Sequence, residues 1–295
     1  MDINRVKNSL RGLTEHRKED GRVWITGTLE NTFKVSILEQ GVSLKGSLAK
    51  FYMGDNFHTL TRADSARAIE KMADELGLPV GQAKVSRIDF AENLLMEYKP
   101  EAYYPYLGEC RDYKRLTQPH SVYWCNGNRT KLIYNKVAEV KDKKGVLPEV
   151  WRGQNVLRYE MRYIRKLSKQ LQRPEITAIT LSDEKFHMNL VERYVAEYEA
   201  IHKLKSIKLN FTDMNSPKDF WEQMVLQGIE HIGGQRRAME IVEEMRARGT
   251  YSRSEYYSRL KGRIKEICKT PEMTTTSELI TELDEKVRDV SRNCR

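Results

Sequence analysis

Two short segments of this chain alternate basic, apolar, acidic and apolar residues. Residues 87–90 read Arg-Ile-Asp-Phe, and residues 158–161 read Arg-Tyr-Glu-Met. Successive side chains of a β-strand point to opposite faces of its sheet, so each segment predicts a strand with one core face and one charged face. The predicted charged faces carry two acids among three arginines: Arg87, Asp89, Arg158, Glu160 and Arg162.

Short strand-like runs separated by turn residues continue this pattern through the first half of the chain. They span 23–29, 32–38, 41–52, 121–124 and 131–136. A helix is predicted over 63–76, where Ala68, Ile69, Met72, Ala73 and Leu76 form an apolar stripe. Thr61 or Asp64 would cap this helix, and Gly77 would end it. Residues 1–21 read as a helix followed by a polar loop.

These elements predict an α+β fold, with a mainly antiparallel central sheet, flanking helices and two related strand–helix–strand halves. We expect a catalytic region over residues 1–172. From 173 to 295 the sequence is helical and strongly charged, with start signals at Ser182-Asp183, Ser216-Pro217 and Ser252-x-x-Glu255. A helix, a short glycine-containing turn and a basic helix are compatible with a DNA-reading helix-turn-helix, and equally with a plain bundle that has a basic exterior.

The charge balance indicates the kind of partner. The chain carries a formal charge of +9 at pH 7, with a pI near 9.2, which favours an anionic partner. The cysteines have no paired spacing, so neither a zinc site nor a disulfide framework is predicted: Cys110, Cys125, Cys268 and Cys294. The six histidines form no His-x-His pair, so any metal would need carboxylate ligands. With no long apolar run and no signal-peptide pattern, we expect a cytoplasmic protein.

A tyrosine beside two acids suggests phosphoryl-transfer chemistry. Attack of the Tyr134 hydroxyl on a DNA phosphate would give a 5′-phosphotyrosine and a free 3′-OH, so that the strand can later be rejoined. Mg²⁺ or Mn²⁺ held by Asp89 and Glu160 would offset the phosphate charge. Lys136, two residues further along the predicted strand, would stabilise the developing charge. Three arginines would hold neighbouring phosphates: Arg87, Arg158 and Arg162.

Each of these residues also has a structural interpretation. Tyrosines on strands usually pack half-buried, and this chain has 15 tyrosines. Asp89 and Glu160 beside arginines can simply form cross-strand ion pairs. Glu139 is close in sequence and can be either a ligand or a solvated group.

Five segments, in order, carry a resemblance to a known family. They are 45–52 (KGSLAKFY), 86–91 (SRIDFA), 121–124 (SVYW), 133–139 (IYNKVAE) and 157–162 (LRYEMR). Together they resemble the phage and plasmid replication initiators of the gene II/gene X type. More distantly, they resemble the rolling-circle initiators of the trans-acting plasmid Rep group. The resemblance runs from about residue 41 to residue 203.

The resemblance implies an initiator that nicks one strand at a replication origin and stays attached through a tyrosine. The family's Tyr-Asp-Lys-x-x-Glu segment places that tyrosine at Tyr134, and the acids of its Arg-x-Asp and Arg-x-Glu strands fall at Asp89 and Glu160. This chain has Asn135 where the family commonly has Asp. Members also tend to begin with an extra strand, so a sheet beginning at Val23 would be shorter here.

The implied partner is origin DNA, single-stranded or cruciform at the nick, and the family type adds a host helicase. Tyr123 is a candidate second nucleophile because it lies close to Tyr134. The main rival hypothesis is a non-catalytic origin-binding initiator that uses its helices. A third is an RNA-binding module in which Tyr123 and Trp124 stack bases.

Overall fold

The computed structural model describes residues 2–204, 206–207, 216–268, 274–275 and 277–293, so Cys294 lies outside the described residues. The chain divides into two compact units. The first contains Met1–Asn93, Arg162–Arg193 and Ser291–Arg295, and the second contains Leu94–Met161 and Tyr194–Val290. Both units draw on residues from each side of position 172, so the functional boundary expected there stays a prediction. None of the described helices has both the length and the apolar character needed to cross a membrane.

The protein has an α+β fold, with antiparallel sheets, flanking helices and a helical C-terminal region. In chain order its elements are α1 (Ile3–Asn8), β1 (Arg11–Arg17), β2 (Val23–Leu29), β3 (Phe33–Leu38), β4 (Gly41–Gly46), α2 (Leu48–Met53), α3 (Arg62–Leu76), β5 (Ile88–Met96), β6 (Leu107–Cys110), β7 (Lys114–Gln118), β8 (Ser121–Cys125), β9 (Arg129–Asn135), α4 (Lys136–Asp142), β10 (Asn155–Tyr163), α5 (Leu167–Gln170), α6 (Glu184–Glu199), β11 (Ile201–Lys203), β12 (Ser206–Ile207), α7 (Pro217–His231), α8 (Gly234–Ala247), α9 (Ser254–Ile267), β13 (Thr274–Thr275) and α10 (Glu278–Asn293).

The first unit contains a four-stranded antiparallel sheet in the order β1-β2-β3-β4. Glu30 and Asn31 join β2 to β3 with φ values of 44° and 57°, the left-handed backbone that tight hairpin turns use. One face of the sheet packs on α1, α2 and α3 through a shared apolar cluster: Val6, Leu29, Phe33, Val35, Ile37, Phe51, Ile69, Met72 and Leu76. Each such side chain stabilises the fold by about 1.5–3 kcal/mol relative to an exposed one.

The helix predicted over 63–76 is confirmed as α3. Thr61 and Asp64 form a reciprocal capping box at its start, and Gly77 ends it with a φ of 64°. Two expectations for this unit were wrong. The chain does have a strand before Val23, namely β1, and the segment expected as one strand over 41–52 is β4 followed by α2. Ser47 separates the two elements because its side chain accepts the Lys50 N–H and caps the helix.

The second sheet has five strands in the order β5-β10-β9-β8-β7. The predicted hairpin joins β8 to β9, where the side-chain oxygen of Asn126 accepts the N–H groups of Asn128 and Arg129, each at 3.0 Å. The core face of β10 is fully buried, as its alternation predicted: Leu157, Tyr159, Met161 and Tyr163 are all 0 % exposed. The strand that follows α3, namely β5, pairs in this second sheet and not in the four-stranded one, so the relation expected between two strand–helix–strand halves stays a prediction.

The C-terminal helices begin close to their predicted signals. Asp183 accepts the Phe186 N–H at 2.8 Å at the start of α6, and the Ser216 side chain caps α7. The capping box expected at Ser252 and Glu255 is wrong, because α9 begins at Ser254 and the residue before it caps without a side-chain bond. Helices α7, α8 and α9 share a small core made of Leu226, Ile229, Ala238, Ile264, Ile267 and Cys268.

The acidic residues on these helices are paired with basic ones, and the basic residues outnumber them by ten to five between residues 231 and 270. All five glutamates between residues 231 and 270 lie in ion pairs with Lys or Arg of the same run: Arg236–Glu240, Arg237–Glu244, Lys261–Glu243, Arg253–Glu255 and Arg263–Glu266. Such surface pairs contribute little to stability. The pairs place glutamate carboxylates next to the basic side chains that would contact DNA phosphates if these helices bound DNA.

Candidate active site on the five-stranded sheet

Tyr134 lies near the end of β9, in the second unit. It stands directly opposite Ser121 of β8, while its neighbour Ile133 points to the other face and is completely buried. The Tyr134 side chain is half-buried. Strand alternation therefore turns the tyrosine hydroxyl away from the apolar core and towards the face that carries the charged residues of β10.

The buried carboxylate of Glu160 lies next to this tyrosine. The Tyr134 hydroxyl is 3.4 Å from Glu160 Oε2, and Arg158 Nε is 3.5 Å from the same oxygen. Glu160 is only 6 % exposed. Both contacts are longer than an ordinary hydrogen bond. Of the residues predicted for the site, the structure thus brings together Tyr134, Glu160 and Arg158.

Asp89 belongs to the first unit and lies between two arginines. Arg87 donates two hydrogen bonds of 2.7 Å, one to each oxygen of the Asp89 carboxylate. Arg162 Nε lies 4.0 Å from Asp89 Oδ2. This is the ion-pair arrangement that the sequence left open as the alternative to a metal site. The fork-to-fork geometry is the strongest form of such a pair.

Lys136 is not on a strand, so its expected place on the Tyr134 face was wrong. It is the first residue of α4 and is 1 % exposed, and its Nζ lies 2.7 Å from Glu139 Oε2. Glu139 also pairs with Lys143. Burial acts to raise the pKa of Glu139, but the hydrogen bonds from the two lysines outweigh it, and the pKa is lowered overall. Glu139 is thus held ionised beside a buried ammonium group.

Asn135 makes two contacts that the sequence did not predict. Its Oδ1 accepts the Ala138 N–H at 3.0 Å and caps α4, while its Nδ2 donates to Glu101 Oε1 at 2.9 Å. The same Glu101 oxygen lies 2.8 Å from His120 Nδ1. Burial acts to raise the pKa of Glu101, but the His120 and Asn135 hydrogen bonds prevail and lower it. Asn at a helix start is a recognisable capping signal, whereas nothing in the sequence pointed to Glu101.

The Tyr123-Trp124 pair does not form an exposed stacking surface. Trp124 is 0 % exposed, and its indole N–H donates to the Gly108 carbonyl at 2.9 Å. Tyr123 is half-buried and stands opposite Leu132, on the same sheet face as Tyr134. Trp124 therefore cannot stack on an RNA base, which leaves Tyr123 as the only ring of this pair that the RNA-binding hypothesis could use. Tyr123 does lie on the face where a second nucleophile would lie.

The two predicted acids offer the kind of ligand that a divalent metal ion binds. Asp89 and Glu160 offer carboxylate oxygens, the ligand type that Mg²⁺ and Mn²⁺ take in proteins. Among the described residues, no group of three or more His, Cys, Asp or Glu side chains is arranged to hold an ion. Mg²⁺ does not require such a group, since one or two carboxylates with substrate phosphates and water commonly bind it. Each of the two acids thus has the donor type that these ions take, and a bound metal stays a prediction.

Comparison with known proteins gives the class: this α+β protein is a phage replication initiator of the gene II type. A search among curated proteins found no match. The family model for the N-terminal region of the gene II replication-associated protein (Phage_CRI) matches residues 22–199, which is more than half of the chain. The protein therefore belongs to this family. The match includes Tyr134, Asp89 and Glu160, and it ends before α7.

Proposed function

We propose that this replication initiator nicks one DNA strand at its origin, with Tyr134 as the nucleophile. One observation carries the proposal: the Tyr134 hydroxyl lies 3.4 Å from the buried carboxylate of Glu160, on a sheet within the residues matched by the initiator family. A phenol this close to a desolvated carboxylate has a proton acceptor at hand, which it needs because its ordinary pKa of about 10 leaves it protonated at neutral pH.

The reaction is a transesterification that conserves the number of phosphate ester bonds. The Tyr134 oxygen forms a bond to phosphorus, the bond from phosphorus to the 3′ oxygen breaks, and the phenolic proton is finally carried by the released 3′-OH. The 5′ phosphate stays on the protein as a phosphotyrosine. Reversal by a 3′-OH rejoins the strand, since little bond energy is lost.

Glu160 and Arg158 have complementary roles in this proposal. Glu160 takes up the phenolic proton, or it would hold a Mg²⁺ or Mn²⁺ ion; the role of Asp89 as a second acid stays a prediction of the family resemblance. Such an ion, when bound, polarises the scissile phosphate and offsets its charge. Arg158 pairs with the Glu160 carboxylate and presents a guanidinium that can hold a phosphate oxygen.

The two residues after the tyrosine act as positioning residues. Asn135 and Lys136 begin α4 and are fixed by Glu101 and Glu139, so the strand end that carries Tyr134 runs into an anchored helix. A nucleophile held within a few tenths of an ångström of its reacting geometry gains much of its rate from that placement. Lys136 acts here through the backbone of Tyr134, and charge stabilisation by its ammonium group stays a prediction.

The test is covalent capture. The protein is incubated with end-labelled single-stranded DNA containing its origin and Mn²⁺, and an SDS-resistant protein–DNA adduct is measured for wild type, Tyr134→Phe and Tyr123→Phe. We expect the adduct with wild type and Tyr123→Phe and its loss in Tyr134→Phe. Tyr123 is the matched control because it lies on the same face one strand away. An adduct that persists in Tyr134→Phe would refute the assigned nucleophile.

Glu160→Gln separates catalysis from origin binding. It keeps the side-chain volume but removes the carboxylate, so we expect adduct formation to fall at least 100-fold, with little change in DNA affinity. The rival function, a non-catalytic origin-binding initiator, predicts no adduct from any variant with any metal, together with tight binding to duplex origin DNA. The last four helices of the described residues, α7 to α10, lie outside the residues matched by the family, and binding of DNA or a host helicase there stays a prediction.

A further inference from the structure

The four-stranded sheet of the first unit has a second face that is solvent-exposed and cationic. Cross-strand register separates its side chains cleanly: Ile25–Ile37, Gly27–Val35 and Leu29–Phe33 pair on the core side. The other side, called here the outer face, consists of Arg11, Thr14, His16, Trp24, Thr26, Thr28, Lys34, Ser36, Leu38, Ser43 and Lys45. These strand residues include five hydroxyl side chains and three Lys or Arg, and they contain no Asp or Glu.

Lys34 and Lys45 stand directly opposite each other on β3 and β4. Opposed side chains on neighbouring strands have Cβ atoms about 5 Å apart, and like charges in that position destabilise a sheet. Within the described part of the chain, neither ammonium group has a carboxylate within ion-pair distance. Two opposed lysines without an acid between them are arranged to bind an external anion.

An aromatic group lies at the β1–β2 end of the outer face. The rings of His16 and Trp24 stack with centroids 4.9 Å apart and planes 13° apart, and Lys18 Nζ lies 6.0 Å from the Trp24 centroid. His16 Nε2 is fixed by Thr26 Oγ1 at 2.8 Å. A part-exposed indole in an ordered stack, next to cations and hydroxyls, is the combination on which nucleic-acid bases stack while their backbone is neutralised.

We propose that the outer face binds single-stranded DNA, independently of its sequence, while the proposed nicking site acts on the strand. The choice of DNA as the polyanion rests on the proposed function. The choice of the outer face as its binding surface rests on charge complementarity. A single strand is favoured over a duplex because its unpaired bases can stack on Trp24 and its phosphates can reach Lys34 and Lys45 on the adjacent strands. In duplex DNA the bases are paired, so only the phosphates could contact the outer face.

The experiment measures binding of fluorescein-labelled dT20 by anisotropy at several salt concentrations, using the full chain. The test variants are Trp24→Ala and the double variant Lys34→Ala/Lys45→Ala. The matched control, Lys169→Ala/Lys185→Ala, removes the same charge from two exposed lysines elsewhere in the first unit. We expect Trp24→Ala to weaken binding about 5- to 150-fold. The double variant should reduce the salt slope by about 1.4, from about 0.7 for each lost phosphate contact.

A fold readout accompanies the binding curves. Removing the opposed lysines should leave the melting temperature unchanged or higher, because their repulsion is relieved. Unchanged dT20 affinity and salt slope in the double variant would overturn the proposal, as would a loss confined to duplex DNA. The nicking proposal is tested separately. Trp24→Ala should still form the Tyr134 adduct when DNA is saturating. Binding that depends on the outer face, without any adduct from wild type, would refute only the nickase.

Discussion

Asn135→Asp, which restores the residue common in the family, should destabilise this particular chain. The helix cap would be kept, because Asp and Asn cap equally well. The Asn135 Nδ2 donor, however, would become a carboxylate oxygen facing Glu101 Oε1, which it now contacts at 2.9 Å. Two carboxylates at that separation cannot both stay ionised without cost.

The magnitude follows from three contributions. Loss of a hydrogen bond to an ionised group costs about 1.5–3 kcal/mol. Repulsion between the two carboxylates adds about 1–2 kcal/mol once discounted for solvent, since the Glu101 side chain is 30 % exposed. A negative charge at the start of α4 interacts favourably with the helix dipole and stabilises the fold by about 0.3–1 kcal/mol. The expected loss at pH 7.5 is therefore roughly 2–4 kcal/mol, or roughly 5–10 °C in melting temperature.

The pH dependence distinguishes this mechanism from a simple loss of packing. In the wild type the pKa of Glu101 is lowered, so its stabilisation is present above its unfolded pKa and is lost as the pH falls through its folded pKa. In Asn135→Asp one carboxyl of the pair has a raised pKa. Its penalty is therefore present at pH 7.5 and relieved at low pH, so the difference between the two proteins should shrink towards pH 4.

The assay is thermal unfolding at pH 7.5 and pH 4 for wild type, Asn135→Asp and the double variant Asn135→Asp/Glu101→Gln. The double variant restores one donor and one acceptor with their positions exchanged, so it should recover most of the loss. If Asn135→Asp melts like wild type at both pH values, or if Glu101→Gln fails to rescue it, the contact with Glu101 is not what makes asparagine suitable here.

Three further predictions concern stability. Glu197→Gln should cost about 3 kcal/mol in urea unfolding, because it leaves the fully buried ammonium of Lys131, now 2.8 Å from Glu197 Oε2, without its carboxylate. Gly46→Ala should cost about 1–3 kcal/mol in the same assay, since a Cβ there would lie 2.6 Å from the Phe33 ring. Burial lowers the pKa of Lys203 to about 8 in the folded protein. Between this pH and about pH 10.4, the ordinary pKa of lysine, Lys203 is neutral in the folded protein and protonated in the unfolded chain. Stability should therefore rise between these pH values in wild type and rise less in Lys203→Met.

The elements that could be predicted from sequence are those with two agreeing local signals. Strands β2 and β3 combine an apolar alternation with a turn at Glu30 and Asn31, and α3 combines an apolar stripe with Thr61 and Gly77 at its ends. Strand β1 carries no such signal. Its residues are almost all exposed, so no apolar alternation marks it, and only pairing with β2 makes it a strand.

The candidate site divides in the same way. The alternation on β10 correctly predicted the buried residues Leu157, Tyr159, Met161 and Tyr163, and it placed Glu160 on the face where Tyr134 meets it, although Glu160 is itself buried. Lys136 was misplaced because a strand pattern was extended one residue into a helix, although Asn135 is a capping residue. The Glu101 contact could not be predicted, since it joins residues 34 positions apart in sequence through the topology of the sheet.

Three consecutive residues thus perform three different tasks at the end of β9. Tyr134 faces Glu160, Asn135 caps α4 while donating to Glu101, and Lys136 is buried against Glu139. Because the amide of Asn135 must accept from the helix and donate to Glu101, only a side chain with both functions fits while position 101 is acidic. Aspartate at 135 therefore requires a neutral or donating group at 101. Asn135 and Glu101 are thus a matched pair in this chain, and Tyr134 precedes a residue that both contacts anchor.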